Sequence, residues 1–274
     1  MDKRNKPSAA LSERIKFFEE IGADFIFKPA ATGPRPTARV IAEAAPVEAA
    51  SRPEIPRTAE PRSTYGPDSA AIKNAGPVGE SGLDLPRSAR TLEEIAAEVK
   101  TCRKCGLAGG RTLAVPGEGN SKSPLLFVGE GPGHDEDVQG RPFVGRAGQL
   151  LTKIIAAMGY DRSEVFIANV VKCRPPENRV PRREEAEACA PFLLEQIQAL
   201  RPRVIVTLGK TAVDYFLPDV KAMGSIRGQF QEWHGLPLMP TFHPSYLIRN
   251  EGNKEIKRMV WNDMQKVMAF LRGE

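Results

Sequence analysis

A glycine-rich segment with clustered carboxylates contains the residue types that could most directly do chemistry. It reads GEGPGHDEDVQGRPFVGRAGQLL over residues 129–151, and it follows the apolar run Leu125–Val128. The glycines let a backbone approach a ligand closely, the carboxylates supply hydrogen-bond acceptors, and Phe143 adds an aromatic face. The residues concerned are Gly129, Glu130, Gly131, Gly133, Asp135, Glu136 and Asp137. The pattern predicts a site for a small planar ligand; a solvated acidic turn between strand and helix is the alternative.

Known phosphate-binding motifs do not fit this segment. The dinucleotide pattern G-x-G-x-x-G would need glycine where His134 stands, and clustered carboxylates would repel a pyrophosphate. Further along, Gly209-Lys210-Thr211 resembles the end of a phosphate loop, but Val204 occupies the position of the required earlier glycine. We therefore interpret this tripeptide as a strand end followed by a helix start.

Four cysteines offer a second kind of chemistry. Cys102 and Cys105 form a C-x-x-C pair, whereas Cys173 and Cys189 stand singly. Persistent disulfides are disfavoured in a reducing cytosol, so four thiolates around one metal centre explain all four residues. The spacing fits structural zinc or an iron-sulfur cluster equally, and unliganded core cysteines are the remaining alternative.

A proline-interrupted basic segment predicts contacts with phosphates. Its cations are Lys172, Arg174, Arg179, Arg182 and Arg183, and its prolines are Pro175, Pro176 and Pro181. Because proline blocks helix formation, these cations are expected on a rigid loop that could bind DNA. An ordinary charged surface loop is the alternative.

Alternating strands and helices are expected to position these groups. The predicted strands are 125–129, 165–171, 204–208 and 238–242. The predicted helices are 91–100, which starts with a capping box at Thr91, and 145–158, 182–200, 210–217 and 253–271. Continuous apolar strands between amphipathic helices indicate an α/β fold with a mostly parallel sheet covered on both faces. Ligands of such sheets bind beyond the carboxyl ends of the strands, where Glu130, Asn169 and His243 stand.

Composition separates an extension from a folded domain. Residues 1–90 contain 11 of the 24 prolines and 16 alanines, which predicts a largely disordered extension before a domain at 91–274. Apolar residues at helical spacing within 11–27 predict a short helix that could dock a protein partner; a marginal isolated helix is the alternative.

Charge and hydropathy exclude several classes of protein. No apolar stretch reaches the roughly 18 residues that span a bilayer, and the start MDKRNKPSAA lacks the apolar segment of a secretory signal. We therefore expect a soluble intracellular protein. The net charge of +5 and the isoelectric point near 9.0 permit a polyanionic partner such as DNA without demanding one.

Four motifs in order closely resemble the family 4 uracil-DNA glycosylases, the iron-sulfur branch of that superfamily. They are GEGPG, the continuation EDxxGRPFVGRAGxLL, NVVKCRPPENR and TFHPSYLIRN, and the resemblance runs from about Thr91 to the C-terminus. It implies a three-layer α/β/α sandwich around a four-stranded parallel sheet. It also implies a structural 4Fe-4S cluster held by Cys102, Cys105, Cys173 and Cys189, whose loss should weaken DNA binding.

The activity implied by the resemblance is hydrolysis of the uracil–deoxyribose bond in DNA, which leaves an abasic site for base excision repair. Asn169 would read uracil O4 and N3–H, and Phe143 would stack on the flipped base. Glu136 would help to exclude the methyl group of thymine, and Gly131 would line the pocket. His243 would donate a hydrogen bond to uracil O2 as negative charge develops on the leaving base.

The resemblance leaves the general base open. Glu130 stands beside Gly131, where the best-known branch of the superfamily carries a water-activating aspartate, so Glu130 is expected only to support the reaction. One departure from the family is His134-Asp135, where two acidic residues are common. The basic loop contains no histidine, so covalent capture of DNA, which a related branch performs, is disfavoured.

The implied partner is uracil-containing DNA, single- or double-stranded, bound by a monomer in the bacterial cytosol near the nucleoid. The residues expected to contact DNA are Arg174, Arg179, Tyr246, Leu247 and Arg249, with Leu247 as an apolar wedge that fills the gap left by the flipped base. Two other functions fit parts of the sequence. One is a non-catalytic sensor of uracil or abasic sites in DNA, and the other is a nucleotide hydrolase with magnesium bound at 135–137.

Overall fold

A six-stranded sheet forms the centre of the fold in the computed structural model, which describes residues 83–220 and 222–274. The strands are β1 (Glu118–Gly119), β2 (Leu125–Gly129), β3 (Phe166–Asn169), β4 (Val204–Leu208), β5 (Gln231–Trp233) and β6 (Leu236–Thr241). Their order is β1-β3-β2-β4-β6-β5. The four central strands are parallel, as expected, and the two short edge strands are antiparallel. The sheet therefore has six strands rather than the four that the resemblance implies.

Helices cover both faces of the sheet. They are α1 (Leu92–Thr101), α2 (His134–Gln139), α3 (Arg146–Ala157), α4 (Arg183–Leu200), α5 (Lys210–Phe216), α6 (Met223–Ile226), α7 (Pro244–Arg249) and α8 (Lys254–Arg272). Short 3-10 turns lie at Gly106–Gly109 and Pro176–Asn178. The capping box that starts α1 is confirmed, because the Thr91 hydroxyl accepts the Glu94 N–H and the Glu94 carboxylate accepts the Thr91 N–H.

Two hydrophobic cores lie on opposite faces of the sheet. Alternate side chains of β2 enter different cores: Leu126 and Val128 pack on the face with α1 and α4, whereas Leu125 and Phe127 pack on the face with α3 and α8. All of β2 is buried, as its unbroken apolar run predicts. The three-layer α/β/α architecture is therefore confirmed.

The strand register brings the predicted functional segments to one edge of the sheet. Gly129 at the end of β2 lies opposite Asn169 at the end of β3. On the other side, β2 pairs with β4, and Leu208 at the end of β4 lies opposite Thr241 at the end of β6. Because these strands are parallel, their carboxyl ends converge, and the segments that follow them can form one pocket.

Residues 83–90 pack against the domain, although they precede its predicted start at 91. Leu83 and Leu85 are buried in the first core, and the Arg201 guanidinium donates to both of their carbonyl oxygens. The rest of the predicted extension, including the proposed helix at 11–27, lies outside the described residues. Within the part of the chain that is described, no helix is both long and apolar enough to cross a membrane.

The sequence analysis missed several short elements, namely β1, β5, α2, α6 and α7. The β5–β6 hairpin turns at His234 and Gly235, which both have positive φ (47° and 73°), the conformation that two-residue hairpin turns favour. The acidic segment expected to be a loop contains α2, where acidic residues in the first turn suit the positive end of a helix dipole.

Replacing Gly148 by alanine should destabilise the domain. A Cβ at this position of α3 would overlap the Phe143 backbone carbonyl, so the loop that carries Phe143 must shift. We expect Gly148→Ala to lower the free energy of unfolding by about 1–3 kcal/mol, measured by urea titration. Gly224→Ala is the control: a Cβ at Gly224 in α6 would meet no atom within 4 Å, so stability should be unchanged or slightly increased. Equal stability of the two variants would contradict this packing.

Candidate active site

An unoccupied hydrogen-bond acceptor marks a pocket at the carboxyl edge of the sheet. Asn169 is 1% exposed, and its side-chain oxygen Oδ1 has no hydrogen-bond partner among the described residues. A Cβ at the neighbouring Gly129 would lie 2.5 Å from Asn169 Oδ1 and 2.5 Å from Phe143 Cζ. Glycine at 129 therefore allows the Asn169 amide and the Phe143 ring to approach the end of β2 closely. Because a buried polar atom without a partner is costly, this amide is suited to a ligand that donates a hydrogen bond.

The Phe143 ring is positioned by strained backbone and by Glu136. Phe143 has a positive φ of 50°, a conformation uncommon for a bulky residue. The Glu136 carboxylate accepts the Val144 and Gly145 N–H groups through Oε1 at 2.8 and 2.9 Å, and the Gly133 N–H through Oε2 at 3.1 Å. Glu136 thus braces the loop that carries the ring.

A second brace on this loop was not foreseen from the sequence. The Arg162 guanidinium donates to the Pro142 carbonyl oxygen and to Glu118 Oε1. Arg141 donates to the same carboxylate at 2.8 Å. Burial opposes ionisation of Glu118, but hydrogen bonds from Arg141 and Arg162 outweigh it and hold the pKa of this carboxyl below its usual value. The residues before Phe143 are therefore fixed by a charged cluster.

His243 joins the same pocket from the end of β6. Its ring centroid lies 5.7 Å from that of Phe143. His243 Nδ1 accepts the Ser245 N–H at 3.1 Å and lies 2.8 Å from Ser245 Oγ, so the neutral ring carries its proton on Nε2. Burial, aided by the positive charge of Arg249, lowers the pKa of His243 to about 4. At neutral pH this imidazole is an uncharged donor through Nε2–H.

Glu130 is oriented by Thr211, which lies at the start of α5 just after β4. The Thr211 hydroxyl donates to Glu130 Oε2. Gly209, between β4 and α5, lies close to the histidine: it has a φ of 88°, and a Cβ at this position would lie 3.0 Å from His243 Cβ. Gly209-Lys210-Thr211 is thus a strand end and helix start, as predicted, and Thr211 orients a carboxylate.

Gly131, a predicted pocket residue, packs against the segment after β3. A Cβ on Gly131 would lie 2.7 Å from Val171 Cγ2. The structure thus brings Glu130, Phe143, Asn169 and His243 to one place, with Gly131 beside them and Glu136 behind the loop.

The four cysteines line one cavity on the opposite face of the sheet from Phe143. This small cavity has walls that include Cys102, Cys105, Cys173 and Cys189. None of the four is in a disulfide. Among the described residues, no three histidine, cysteine, aspartate or glutamate side chains form a group that could hold a single metal ion.

Hydrogen-bond donors point at the sulfurs of this cavity. Arg111 Nη1 lies 2.9 Å from Cys173 Sγ, and the Lys172 N–H donates to Cys189 Sγ at 3.3 Å. Burial raises the pKa of the Cys173 thiol, and it raises that of Cys189 to about 12 even though Lys172 opposes the shift. Thiolates in this cavity need a positive centre beside them, which is what a bound metal group supplies.

The predicted basic loop is only partly available for phosphates. Arg179 forms a bidentate ion pair with Glu185 at 2.8 and 2.7 Å, and Arg174 Nε donates to Asn178 Oδ1 at 2.7 Å. Lys172 is 1% exposed, so its assignment to a phosphate-binding surface was wrong. Arg182 is exposed at the end of the loop.

The segment after His243 is a short helix rather than a projecting wedge. Leu247 is 2% exposed and packs in the second core, because it shares the inner face of α7 with Pro244. Tyr246 is half-buried with its ring centroid 5.0 Å from that of Phe242, and Arg249 is exposed. In this conformation Tyr246 and Arg249, but not Leu247, can reach a ligand at the surface.

The acidic residues at 135–137 do not form a magnesium site. Both Asp137 oxygens accept the Thr112 N–H, at 2.9 and 3.1 Å, and Asp137 is 3% exposed. Glu136 is engaged by backbone N–H groups, and Asp135 Oδ1 lies 3.3 Å from His134 Nδ1. With no group of three metal-binding side chains among the described residues, the magnesium-dependent hydrolase hypothesis loses its site.

Comparisons with known proteins identify the family of this chain. Residues 116–265 match the family model described as the uracil DNA glycosylase superfamily. A type-4 uracil-DNA glycosylase of Thermotoga maritima is 49% identical over 185 residues, 67% of this chain and 96% of the relative. One of Saccharolobus solfataricus is 43% identical, covering 67% and 88%. A type-5 enzyme of Pyrobaculum aerophilum is 30% identical, covering 53% and 71%. The chain belongs to the uracil-DNA glycosylase superfamily, in its type-4 branch.

Proposed function

We propose that this chain hydrolyses the N-glycosidic bond between uracil and deoxyribose in DNA, leaving an abasic site for base excision repair. The observation that carries the proposal is the buried Asn169 amide, whose oxygen has no hydrogen-bond partner among the described residues and lies, like the Phe143 ring, beside Gly129. The bond to be cut is unreachable inside a duplex, so the nucleotide must be flipped into this pocket.

Uracil fits the donor and acceptor pattern of the pocket. Asn169 Oδ1 would accept N3–H, and the amide N–H would donate to O4, whereas cytosine has an acceptor at N3 and a donor at its exocyclic amine. The mismatch would leave a buried polar atom unpaired, which is a strong basis for discrimination. Phe143 would stack on the base, and Glu136, Gly131 and the braced loop would restrict the space beside it.

His243 and Glu130 would act on the two sides of the breaking bond. As the bond breaks, uracil leaves as an anion, and Nε2–H of the neutral His243 donates to O2, where the charge develops. Positive charge develops on the sugar, and water adds to C1′ while its proton passes to solvent or to the departing base. Glu130, oriented by Thr211, would stabilise that charge or position the water, a role that needs little base strength.

We infer that Cys102, Cys105, Cys173 and Cys189 hold a 4Fe-4S cluster. Their shared cavity and the N–H donors directed at sulfur support a bound metal group, and the type-4 relatives favour an iron-sulfur cluster. Such a group would supply structure by joining the segment after α1 to the loop after β3 and to α4.

The partner that we propose is uracil-containing DNA, single- or double-stranded, bound by a monomer. Exposed Arg182 and Arg249, with Tyr246 and Arg174, are candidates for backbone contacts, and Arg179 would shape the loop through Glu185. Leu247 could act as a wedge only if α7 rearranged. The helix proposed at 11–27 remains a candidate docking segment for a protein partner.

The chain should release free uracil from oligonucleotides, and removal of the pocket groups should reduce turnover more than DNA binding. We expect Asn169→Ala and His243→Ala each to lower kcat by roughly 100- to 1,000-fold, because each removes an interaction that acts at the reacting base. Single-turnover release from single- and double-stranded substrates measures the effect, and titration with an abasic-site analogue measures DNA affinity.

Asn120→Ala serves as the control, because Asn120 lies in an exposed turn and only caps the Lys122 N–H. It should leave turnover unchanged. Tight binding of uracil-DNA without release by the wild type would instead support the non-catalytic sensor. Equal losses in turnover and DNA affinity would contradict the assigned roles of Asn169 and His243.

The pH dependence should reveal an imidazole that stays neutral. Because the pKa of His243 is lowered from 6.5 to about 4, its protonation should depress kcat/KM only near pH 4. The unfolded chain binds this proton first, so the contribution of His243 to stability is present above pH 6.5 and is lost as pH falls towards 4. NMR titration of the imidazole, assigned with His243→Gln, checks the value. A midpoint near that of a free imidazole would reject the neutral-donor mechanism.

Removal of a cysteine should abolish the visible iron-sulfur absorbance. Serine has no sulfur, so Cys173→Ser should lose iron and the visible absorbance. Its affinity for DNA should also fall, because the basic loop would be held less firmly. Iron analysis, absorbance and DNA titration on protein purified without oxygen measure these changes. Retention of the wild-type spectrum and iron content would exclude Cys173 as a ligand.

A further inference from the structure

Lys172 is a buried cation whose ammonium is directed into the protein. It lies three residues after Asn169 and directly before Cys173, and it is 1% exposed. Its ammonium Nζ donates to the Asn169 carbonyl oxygen at 2.8 Å and to Gln196 Oε1 at 2.6 Å. A buried ammonium is costly unless its hydrogen bonds are well formed, so these contacts hold both acceptors in place.

The Lys172–Asn169 contact fixes the peptide unit that orients the Asn169 side chain. This unit consists of the Asn169 carbonyl and the Val170 N–H. Lys172 holds the carbonyl, and Gly129 O accepts the N–H at 2.9 Å. With both ends held, the backbone torsion at Asn169 is set, and so is the direction in which its amide leaves the strand. The same peptide unit is therefore tied to β2 on one side and to Lys172 on the other.

Gln196 supports the ammonium from the helix that carries Cys189. It stands seven residues after Cys189, which places both side chains on one face of α4. Its Nε2 donates to the Pro116 carbonyl oxygen at 2.7 Å, so Oε1 is left to face Lys172. Gln196 is 1% exposed, and its orientation is set at both ends of the amide.

The backbone of Lys172 touches the cysteine cavity. Its N–H donates to Cys189 Sγ at 3.3 Å, its carbonyl accepts the Val115 N–H at 2.7 Å, and the residue forms part of the cavity wall. One residue thus contacts a cysteine sulfur through its backbone and the carbonyl of Asn169 through its side chain.

We propose that Lys172 is a positioning residue that aims Asn169 at uracil and links the geometry of the base pocket to that of the cysteine cavity. This inference rests on the proposed glycosylase function. A displacement of about 1 Å at a recognition group can reduce a rate by about 100-fold, so loss of the ammonium should affect chemistry even though Lys172 does not touch the base.

Lys172→Met tests the link, because methionine keeps an unbranched side chain of similar length and removes the ammonium. We expect kcat for uracil release to fall by roughly 10- to 100-fold. Inhibition by free uracil should weaken by a comparable factor, because uracil contacts Asn169 directly. Affinity for an abasic-site analogue, iron content and visible absorbance should stay at the wild-type level, which a general structural defect would not allow.

Two further variants complete the experiment. Lys266→Met removes another ammonium that donates to a backbone carbonyl, that of Gly228 at 2.6 Å, but from α8 and without a contact to the Asn169 carbonyl, and it should retain turnover. Gln196→Leu removes the support of Lys172 and should shift kcat and uracil inhibition in the same direction by a smaller factor. If Lys172→Met does not fold, the kcat and uracil inhibition of Gln196→Leu test the proposal instead.

Wild-type kcat and uracil inhibition in folded Lys172→Met would overturn the inference, as would the same result in Gln196→Leu where Lys172→Met is unfolded. Failure of the glycosylase proposal would look different, because the wild-type chain itself would then release no uracil.

Discussion

The parallel pairing of β2 with β3 is the constraint on which the site depends. Its register sets Gly129 opposite Asn169, so a residue without a side chain lies beside the buried amide. A slip of one residue would turn Asn169 to the other face of the sheet and place a side chain in the pocket. The strand register therefore determines where Asn169 lies in the pocket. The loops after β2 and β6 then place Phe143 and His243 beside it.

The basic residues that cluster in the sequence do not form one phosphate-binding surface in the structure. Cations that stand together in the sequence have separate tasks: Arg179 pairs with Glu185, Lys172 binds neutral oxygens inside the protein, and Arg182 is exposed. The pocket itself holds a neutral imidazole and an amide beside the Thr211-bound Glu130. The exposed cations Arg182 and Arg249 can attract phosphates at the surface, while the uncharged ring of a flipped base enters the pocket.

The sequence predicts what depends on local pattern. Unbroken apolar runs predicted the central strands, capping residues predicted α1, and the strand ends predicted the positions of Glu130, Asn169 and His243. It did not predict β5, which forms only because His234 and Gly235 adopt positive φ and fold the edge back onto β6. It also misplaced Lys172 on the surface and did not show that Leu247 is buried. A basic residue near prolines and a leucine near a catalytic motif have the same local pattern whether they face solvent or core, so tertiary packing decides.

The two cores give a physical reason why a cysteine-bound group could affect glycosylase chemistry at all. The cysteines lie in the first core, while Phe143 and Leu247 belong to the second, on the opposite face of the sheet. The strands of the sheet prevent side chains on one face from contacting side chains on the other. A path between the faces must therefore run through backbone at a strand end, and β3 ends at Asn169, whose carbonyl is held by the residue next to Cys173. The hydrogen bond from Lys172 to the Asn169 carbonyl is therefore a physical connection between the cysteine cavity on one face and the Asn169 side chain at the strand end.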